Sequence, residues 1–84
     1  MTTEKRLARA ESLVKKGKLV DAIKEYDLLL EFEPEMAEVH FRQASLYAKL
    51  KNPGKACVAY RRYLEIEPEG AHAKVANAGA VRCQ

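Results

Sequence analysis

Apolar side chains recur along this 84-residue chain at intervals of three and four positions, which is the spacing of one face of an α-helix. The first such stripe contains Leu7, Ala10, Leu13 and Val14, and a second stripe follows Gly17. Glycine often ends a helix because it adopts the left-handed backbone conformation without steric cost. Extended along the chain, the pattern predicts five helices, near residues 3–16, 20–32, 36–50, 53–66 and 70–82.

The chain repeats itself with a period of 34 residues. The segment LEFEPE at 30–35 returns as LEIEPE at 64–69, and residues 3–36 align with 37–70 without a gap. Each copy contains two predicted helices and therefore forms a helical hairpin. A hairpin leaves apolar side chains on its outer faces, and a neighbouring copy can cover them. The identical pairs include Ala10/Ala44, Ala22/Ala56, Tyr26/Tyr60 and Pro34/Pro68.

The turn inside the hairpin differs between the two copies. Where the first copy has Gly17, the second has Asn52 followed by Pro53. An asparagine side chain accepts hydrogen bonds from the first backbone N–H groups of a helix, and proline fits the first turn. We therefore expect Asn52 to cap the second helix of the second copy.

These features resemble the tetratricopeptide repeat, a helix–turn–helix unit of 34 residues. The resemblance rests on five positions of the unit: a small residue, a large apolar residue, an alanine, a tyrosine and a proline. In this order, they hold Ala10, Leu13, Ala22, Tyr26 and Pro34 in the first copy and Ala44, Tyr47, Ala56, Tyr60 and Pro68 in the second. It implies an all-α fold, a right-handed α-solenoid of two helical hairpins plus a C-terminal capping helix. We expect one domain over residues 1–84, with repeats at 3–36 and 37–70 and the capping helix at 71–84.

Two positions early in each first helix depart from the family pattern, which usually has a bulky aromatic residue and then a leucine there. All six are polar or basic here: Arg6 and Arg9, His40 and Gln43, and Lys74 and Asn77. We expect the neighbouring residues Leu7, Phe41 and Val75 to supply the packing instead. In the last helix, the small position falls on Ala78 and the large one on Val81.

The side chains that carry chemistry argue against catalysis. The sequence has no Ser/His/Asp or Cys/His arrangement and no phosphate-binding glycine loop. Its two cysteines, Cys57 and Cys83, lack the spacing of a zinc site or a disulfide framework. Cys57 replaces Ile23 of the first repeat, so we expect a small apolar filler there and a free thiol at Cys83. We predict a non-enzyme without catalytic residues, cofactors or metal sites.

The N-terminal segment has no apolar signal core, and no stretch of the chain is apolar enough to span a membrane. Together with two reduced cysteines, this predicts a cytoplasmic protein that does not contact a membrane.

The family resemblance implies a concave groove lined by the first helices of the repeats. Its candidate residues are Leu7, Glu11, Lys15, Phe41, Arg42, Ser45, Lys49, His72 and Val75. The floor would be apolar and the second half basic. We therefore predict a non-catalytic protein–protein interaction module that binds a peptide or helix of a partner, with an acidic residue held by Arg42.

Self-association is the second hypothesis. The last helix has a sparse apolar stripe, which consists of Ala71, Val75, Ala78 and Val81. An uncovered stripe would leave an apolar face exposed, and a homodimer through the C-terminal helix would bury it. Alternatively, the chain is an excised fragment of a longer repeat protein, in which the next repeat covers this face.

The net charge of +3 hides alternating blocks. Residues 1–20 and 41–63 have net charges of +4 and +6, whereas 21–40 and 64–84 have −6 and −1. Blocks of opposite sign can pair within or between chains. The pI of about 9.0 suggests nucleic acid, but the basic residues alternate with a strongly acidic block. A continuous row of basic side chains along the first helices could include only Arg6, Arg9, His40 and Lys74. We therefore do not expect nucleic-acid binding.

Overall fold

The structure, a computed structural model, describes residues 2–81 and 83, so residues 1, 82 and 84 of the predicted domain lie outside it. The described residues form five α-helices and no strand, which confirms the all-α class. The helices are α1 (Thr3–Lys15), α2 (Leu19–Phe32), α3 (Ala37–Lys49), α4 (Pro53–Ile66) and α5 (Ala73–Ala80). The first four begin and end within one residue of the predicted bounds. None of these helices is long and apolar enough to cross a membrane.

The chain divides into two compact units, Met1–Glu35 and Met36–Gln84. The boundary lies one residue before the predicted end of the first repeat. In the first unit α1 packs against α2. The Thr2 side chain caps α1 by accepting a hydrogen bond from the Lys5 N–H at 3.3 Å, and the Thr3 hydroxyl donates to the Glu33 carboxylate at the end of α2.

Two arginines of α1 face one glutamate of α2 in this unit. Arg6 Nη1 lies 3.6 Å from Glu25 Oε2, and Arg9 Nη1 lies 3.6 Å from Glu25 Oε1. Only 16% of the Glu25 side chain is exposed, so these charges are less screened by water than a surface pair would be. A charged Arg6–Glu25–Arg9 cluster therefore occupies the place where the resemblance implied bulky apolar residues.

The turns of both units contain a residue in the left-handed conformation. Gly17 has φ 77°, as predicted. The equivalent residue of the second unit, Lys51, has φ 59°, which is sterically unfavourable for a residue with a side chain. Asn52 follows it, and its Oδ1 accepts a hydrogen bond from the Lys55 N–H at 3.2 Å. The predicted Asn52 cap is confirmed, and it stabilises this turn. The sequence alone did not show that Lys51 takes part in the turn.

In the second unit α4 lies between two neighbours, because α3 and α5 both pack against it. The core combines several alanines with two large aromatic residues of α4, so the helices approach closely at the alanines and the rings fill the remaining space. Its buried members are Ala37, Ala44, Ala56, Ala59, Tyr60, Tyr63 and Ala76. The Phe41 side chain is half-buried against this core, as expected from its place beside His40.

The fifth helix begins later than predicted. The sequence pattern predicts it near residues 70–82, but α5 begins at Ala73 and ends at Ala80. Gly70 takes the place of Met36 of the first repeat, and a Cβ atom at Gly70 would overlap the Tyr63 hydroxyl. The backbone N–H of His72 donates to the same hydroxyl at 2.9 Å. The chain therefore passes close to Tyr63 in a turn before the helix begins.

The later start changes which face of α5 is buried. Ala76 is fully buried, and Gly79 lies so close to the Tyr60 ring that a Cβ atom there would overlap it. Ala78, expected at the small position, is exposed instead, and so is Val81. Helix α5 thus packs through small residues outside the register of the first two repeats.

The two cysteines form a disulfide, which corrects the expectation of an apolar filler and a free thiol. Cys57 of α4 is fully buried and bonded to Cys83, and their Cα atoms lie 5.1 Å apart. The bond joins the segment after α5 to α4. Stable disulfides are characteristic of oxidising compartments. The predicted cytoplasmic location therefore loses the support that two reduced cysteines would have given it.

The Arg6–Glu25–Arg9 cluster predicts the effect of Glu25→Ala. The partly buried Arg6 and the exposed Arg9 would lose the carboxylate between them, and we expect the free energy of unfolding to fall by roughly 1–3 kcal/mol, below the range for fully buried pairs. Chemical denaturation measures this value. Glu11→Ala, at an exposed position of α1, is the control and should change it by less than about 0.5 kcal/mol. Equal effects of the two substitutions would contradict the assigned role of Glu25.

The disulfide predicts a difference between the oxidised and the reduced chain. The bond closes a loop of 26 residues in sequence separation, for which restriction of the unfolded chain gives about 3 kcal/mol of stabilisation. The double variant Cys57→Ser/Cys83→Ser and the chemically reduced chain should both unfold at lower denaturant concentration. Thiol titration of the denatured, unreduced protein should find no free thiol, and the appearance of two would contradict the pairing.

Candidate functional site

The predicted groove residues fall into two sets, one in each unit. In the first unit, Leu7, Glu11 and Lys15 are four residues apart along α1 and share one face of the helix. We call them the α1 row. Leu7 is half-buried, whereas Glu11 and Lys15 are exposed. The row therefore presents one acidic and one basic group beside a partly covered apolar side chain.

The second unit contributes residues from α3 and from the start of α5. We call this set the α3–α5 surface: Phe41, Arg42, Ser45, Lys49, His72 and Val75. Phe41, Ser45 and His72 are half-buried. Arg42, Lys49 and Val75 are exposed, and 55% of Val75 is accessible to solvent. Both cations and one apolar side chain are thus available to a molecule that approaches this surface.

An aromatic cluster fixes the start of α5 against α3 and α4. The Phe41 and His72 rings are stacked, with centroids 4.0 Å apart and an interplanar angle of 8°. Phe41 also lies 5.6 Å from the Tyr63 centroid and 5.8 Å from that of Tyr60. The two separations between Phe41 and the tyrosine rings are typical of favourable ring contacts. Phe41 therefore packs within the unit, and Val75 is the apolar group on the α3–α5 surface that is most exposed.

Glu38 joins the polar residues of this surface. Its Oε2 accepts a hydrogen bond from Arg42 Nε at 3.2 Å, and its Oε1 lies 3.1 Å from His72 Nε2. Glu38 and Arg42 are one helical turn apart on α3, whereas Glu38 and His72 are separated by 34 residues. Equivalent positions of successive repeats thus come into direct contact. Glu38 was not among the predicted site residues, although its spacing from Arg42 was a signal for the pair.

A surface opening lies between α3 and α4. We call it the α3–α4 cleft; its volume is about 600 Å³, and its walls include His40, Gln43 and Tyr47 of α3 and Lys55, Val58 and Arg62 of α4. Val58 is 67% exposed. The cleft lies at the two positions where the family usually has an aromatic residue and a leucine, because His40 and Gln43 do not fill that space. The sequence showed these polar residues but not the opening that results.

The predicted self-association stripe is exposed along its length. Val75 and Val81 are 55% and 75% accessible, and Ala71 and Ala78 are exposed as well. Among residues 2–81 and 83, no three histidine, cysteine or acidic side chains come together in a way that could hold a metal ion.

The tetratricopeptide repeat family matches residues 37–69, which contain α3, the Lys51–Asn52 turn and α4. A search among curated proteins finds no match to the chain. Repeats of this family generally mediate contacts between proteins and are generally non-catalytic. The matched segment, the 34-residue period and the five helices agree with one another. Residues 37–69 match the tetratricopeptide repeat family, and the chain contains a helical repeat of this type.

Proposed function

We propose that this chain binds a peptide or helix of a partner protein without catalysis, and that the α3–α5 surface supplies the contacts. The family match supports the interaction class. The observation that carries the location is the Arg42–Glu38–His72 arrangement, in which one carboxylate orients two basic side chains at the edge of an exposed surface. Side chains that are oriented before binding lose less conformational entropy when a partner arrives.

An acidic residue suits this surface because Arg42 and Lys49 project from the same face of α3. Both are exposed, and a partner carboxylate would compete with Glu38 for Arg42. A charge-assisted hydrogen bond to a guanidinium is stronger than one between neutral groups. The proposed ligand therefore carries an acidic residue.

An apolar residue of the ligand would contact Val75. Its side chain lies on the first turn of α5, three residues after His72, and is more than half exposed. The exposed edge of Phe41 would add to this contact, while the packed face of its ring holds α5 in place. The proposed ligand is thus a short segment with one acidic and one apolar anchor.

Self-association through α5 is a second candidate function, favoured by the exposure of Ala71, Val75, Ala78 and Val81. A stripe of this kind can pair with the same stripe of a second copy around a two-fold axis. Such an interface closes at the dimer.

Selection from a random peptide display library tests the groove proposal. We expect the selected peptides to share an acidic residue and an apolar one, and we expect Arg42→Gln to weaken their binding by about tenfold, as loss of one charge-assisted contact implies. Fluorescence anisotropy measures the affinities. Lys24→Gln, which removes an exposed cation of α2, is the matched control and should leave them unchanged. Peptides that bind the Arg42→Gln variant as tightly as the original chain would refute the assignment. Phe41 is unsuitable as a test position because its removal would leave a void in the core.

Sedimentation equilibrium tests the α5 dimer. If the stripe is the interface, the original chain should pass from monomer to dimer, and no further, as its concentration rises. Val75→Glu should keep it monomeric because a carboxylate would face its own copy across the two-fold axis. Lys74→Glu, at the neighbouring exposed position, controls for added charge. Association that survives Val75→Glu would exclude this interface.

A further inference from the structure

An exposed aromatic residue ends α2 in an acidic setting. Phe32 is the last residue of the helix, and 74% of it is accessible to solvent. Glu31, Glu33 and Glu35 surround it in the sequence, and all three are exposed. We call residues 31–35 the acidic tip. Among the exposed apolar side chains of the described residues Phe32 is the largest, so removal of its ring from water would be favourable.

The α3–α4 cleft has the complementary chemistry. Its apolar surface includes Val58 and Ala59, and the Tyr47 ring lies at one end with Lys55 Nζ 5.7 Å from its centroid. Cations surround this surface. We call Lys55, Arg61 and Arg62 the basic rim. Arg62 also pairs with Glu65 at 3.0 Å, which leaves the rim with a net positive charge.

The two units differ at three equivalent positions beside the cleft. Arg6, Arg9 and Glu25 of the first unit correspond to His40, Gln43 and Ala59 of the second. In the first unit the charged side chains meet between the helices. In the second unit an alanine stands where the glutamate would be, and the space of about 600 Å³ remains open. This volume lies within the range of sites that accept organic groups the size of an aromatic ring.

We propose that the Phe32 ring of one copy enters the α3–α4 cleft of a second copy, with the carboxylates of the acidic tip against the basic rim. The carboxylates beside the ring, of which Glu33 also accepts from Thr3, are opposite in charge to the cations around the cleft, of which Arg62 also pairs with Glu65. The opposite charges of residues 21–40 and 41–63 favour the same pairing over a longer range. A ring that leaves water contributes apolar burial, and the ion pairs determine the orientation.

The two surfaces differ, so the contact is head-to-tail. Each copy has one acidic tip and one cleft. A copy that has used one of these surfaces in a contact therefore still has the other available. Association therefore continues beyond the dimer unless the rotation between copies closes a ring. An α5 dimer, by contrast, stops at two copies. Because one ring and a few ion pairs bury a small area, we expect dissociation constants in the micromolar range or weaker.

Sedimentation velocity from about 10 μM to about 1 mM tests this proposal. The original chain should show an average mass that rises past the dimer, and 0.5 M NaCl should lower it because salt screens the ion pairs. Phe32→Ser and Arg61→Glu should each remain monomeric. Both positions are exposed, so neither substitution should reduce the helical content measured by circular dichroism. Val20→Ser, at another exposed apolar position of α2, is the control and should associate like the original chain.

Mixing the two variants provides the sharper test. The Phe32→Ser chain retains an intact cleft and the Arg61→Glu chain retains an intact tip, so a mixture should form a dimer that grows no further. Glu31→Lys and Arg61→Glu should each weaken association when made alone. Combined in one chain, they reverse one charge on each of the two surfaces and should restore association. A monomer at every concentration, association unaffected by Phe32→Ser, or an inert mixture would each overturn the proposal. Loss of association through Val75→Glu alone would assign it to the α5 stripe.

Discussion

Three equivalent positions face the space between the two helices of each hairpin. In the first unit they hold Arg6, Glu25 and Arg9, which attract one another at a partly buried site. In the second unit these positions have smaller or uncharged groups, and a cleft lies beside them. The same positions of the repeat thus carry a charged cluster in one unit and line an accessible opening in the other.

The period of 34 residues and the apolar spacing were sufficient to predict the first four helices within one residue of their bounds. They succeeded because both signals are local: a stripe fixes the helix, and a glycine, asparagine or proline fixes its end. The fifth helix failed because its start depends on a distant group. The Tyr63 hydroxyl binds the His72 N–H and leaves no room for a side chain at Gly70. No pattern along residues 67–73 contains that information.

The candidate surfaces were predictable as sets of residues but not as sets of contacts. The family resemblance placed Phe41, Arg42 and His72 on neighbouring helices, and they do come together. It did not show that Phe41 would be held in the core or that Glu38 would contact both basic residues. The disulfide was missed for a similar reason, because the separation between Cys57 and Cys83 matches no known spacing and only the packing of α5 brings them together.

The contact between Glu38 and His72 restricts how such a repeat can be multiplied. These residues occupy one position of the unit in consecutive copies, and they touch. A third unit copied faithfully from the second would have glutamate in place of His72, and its carboxylate would meet that of Glu38. The first two repeats share glutamate at this position, as Glu4 and Glu38. The change to histidine therefore belongs to the contact that the start of α5 makes, and an added copy of the second repeat would need another partner for Glu38.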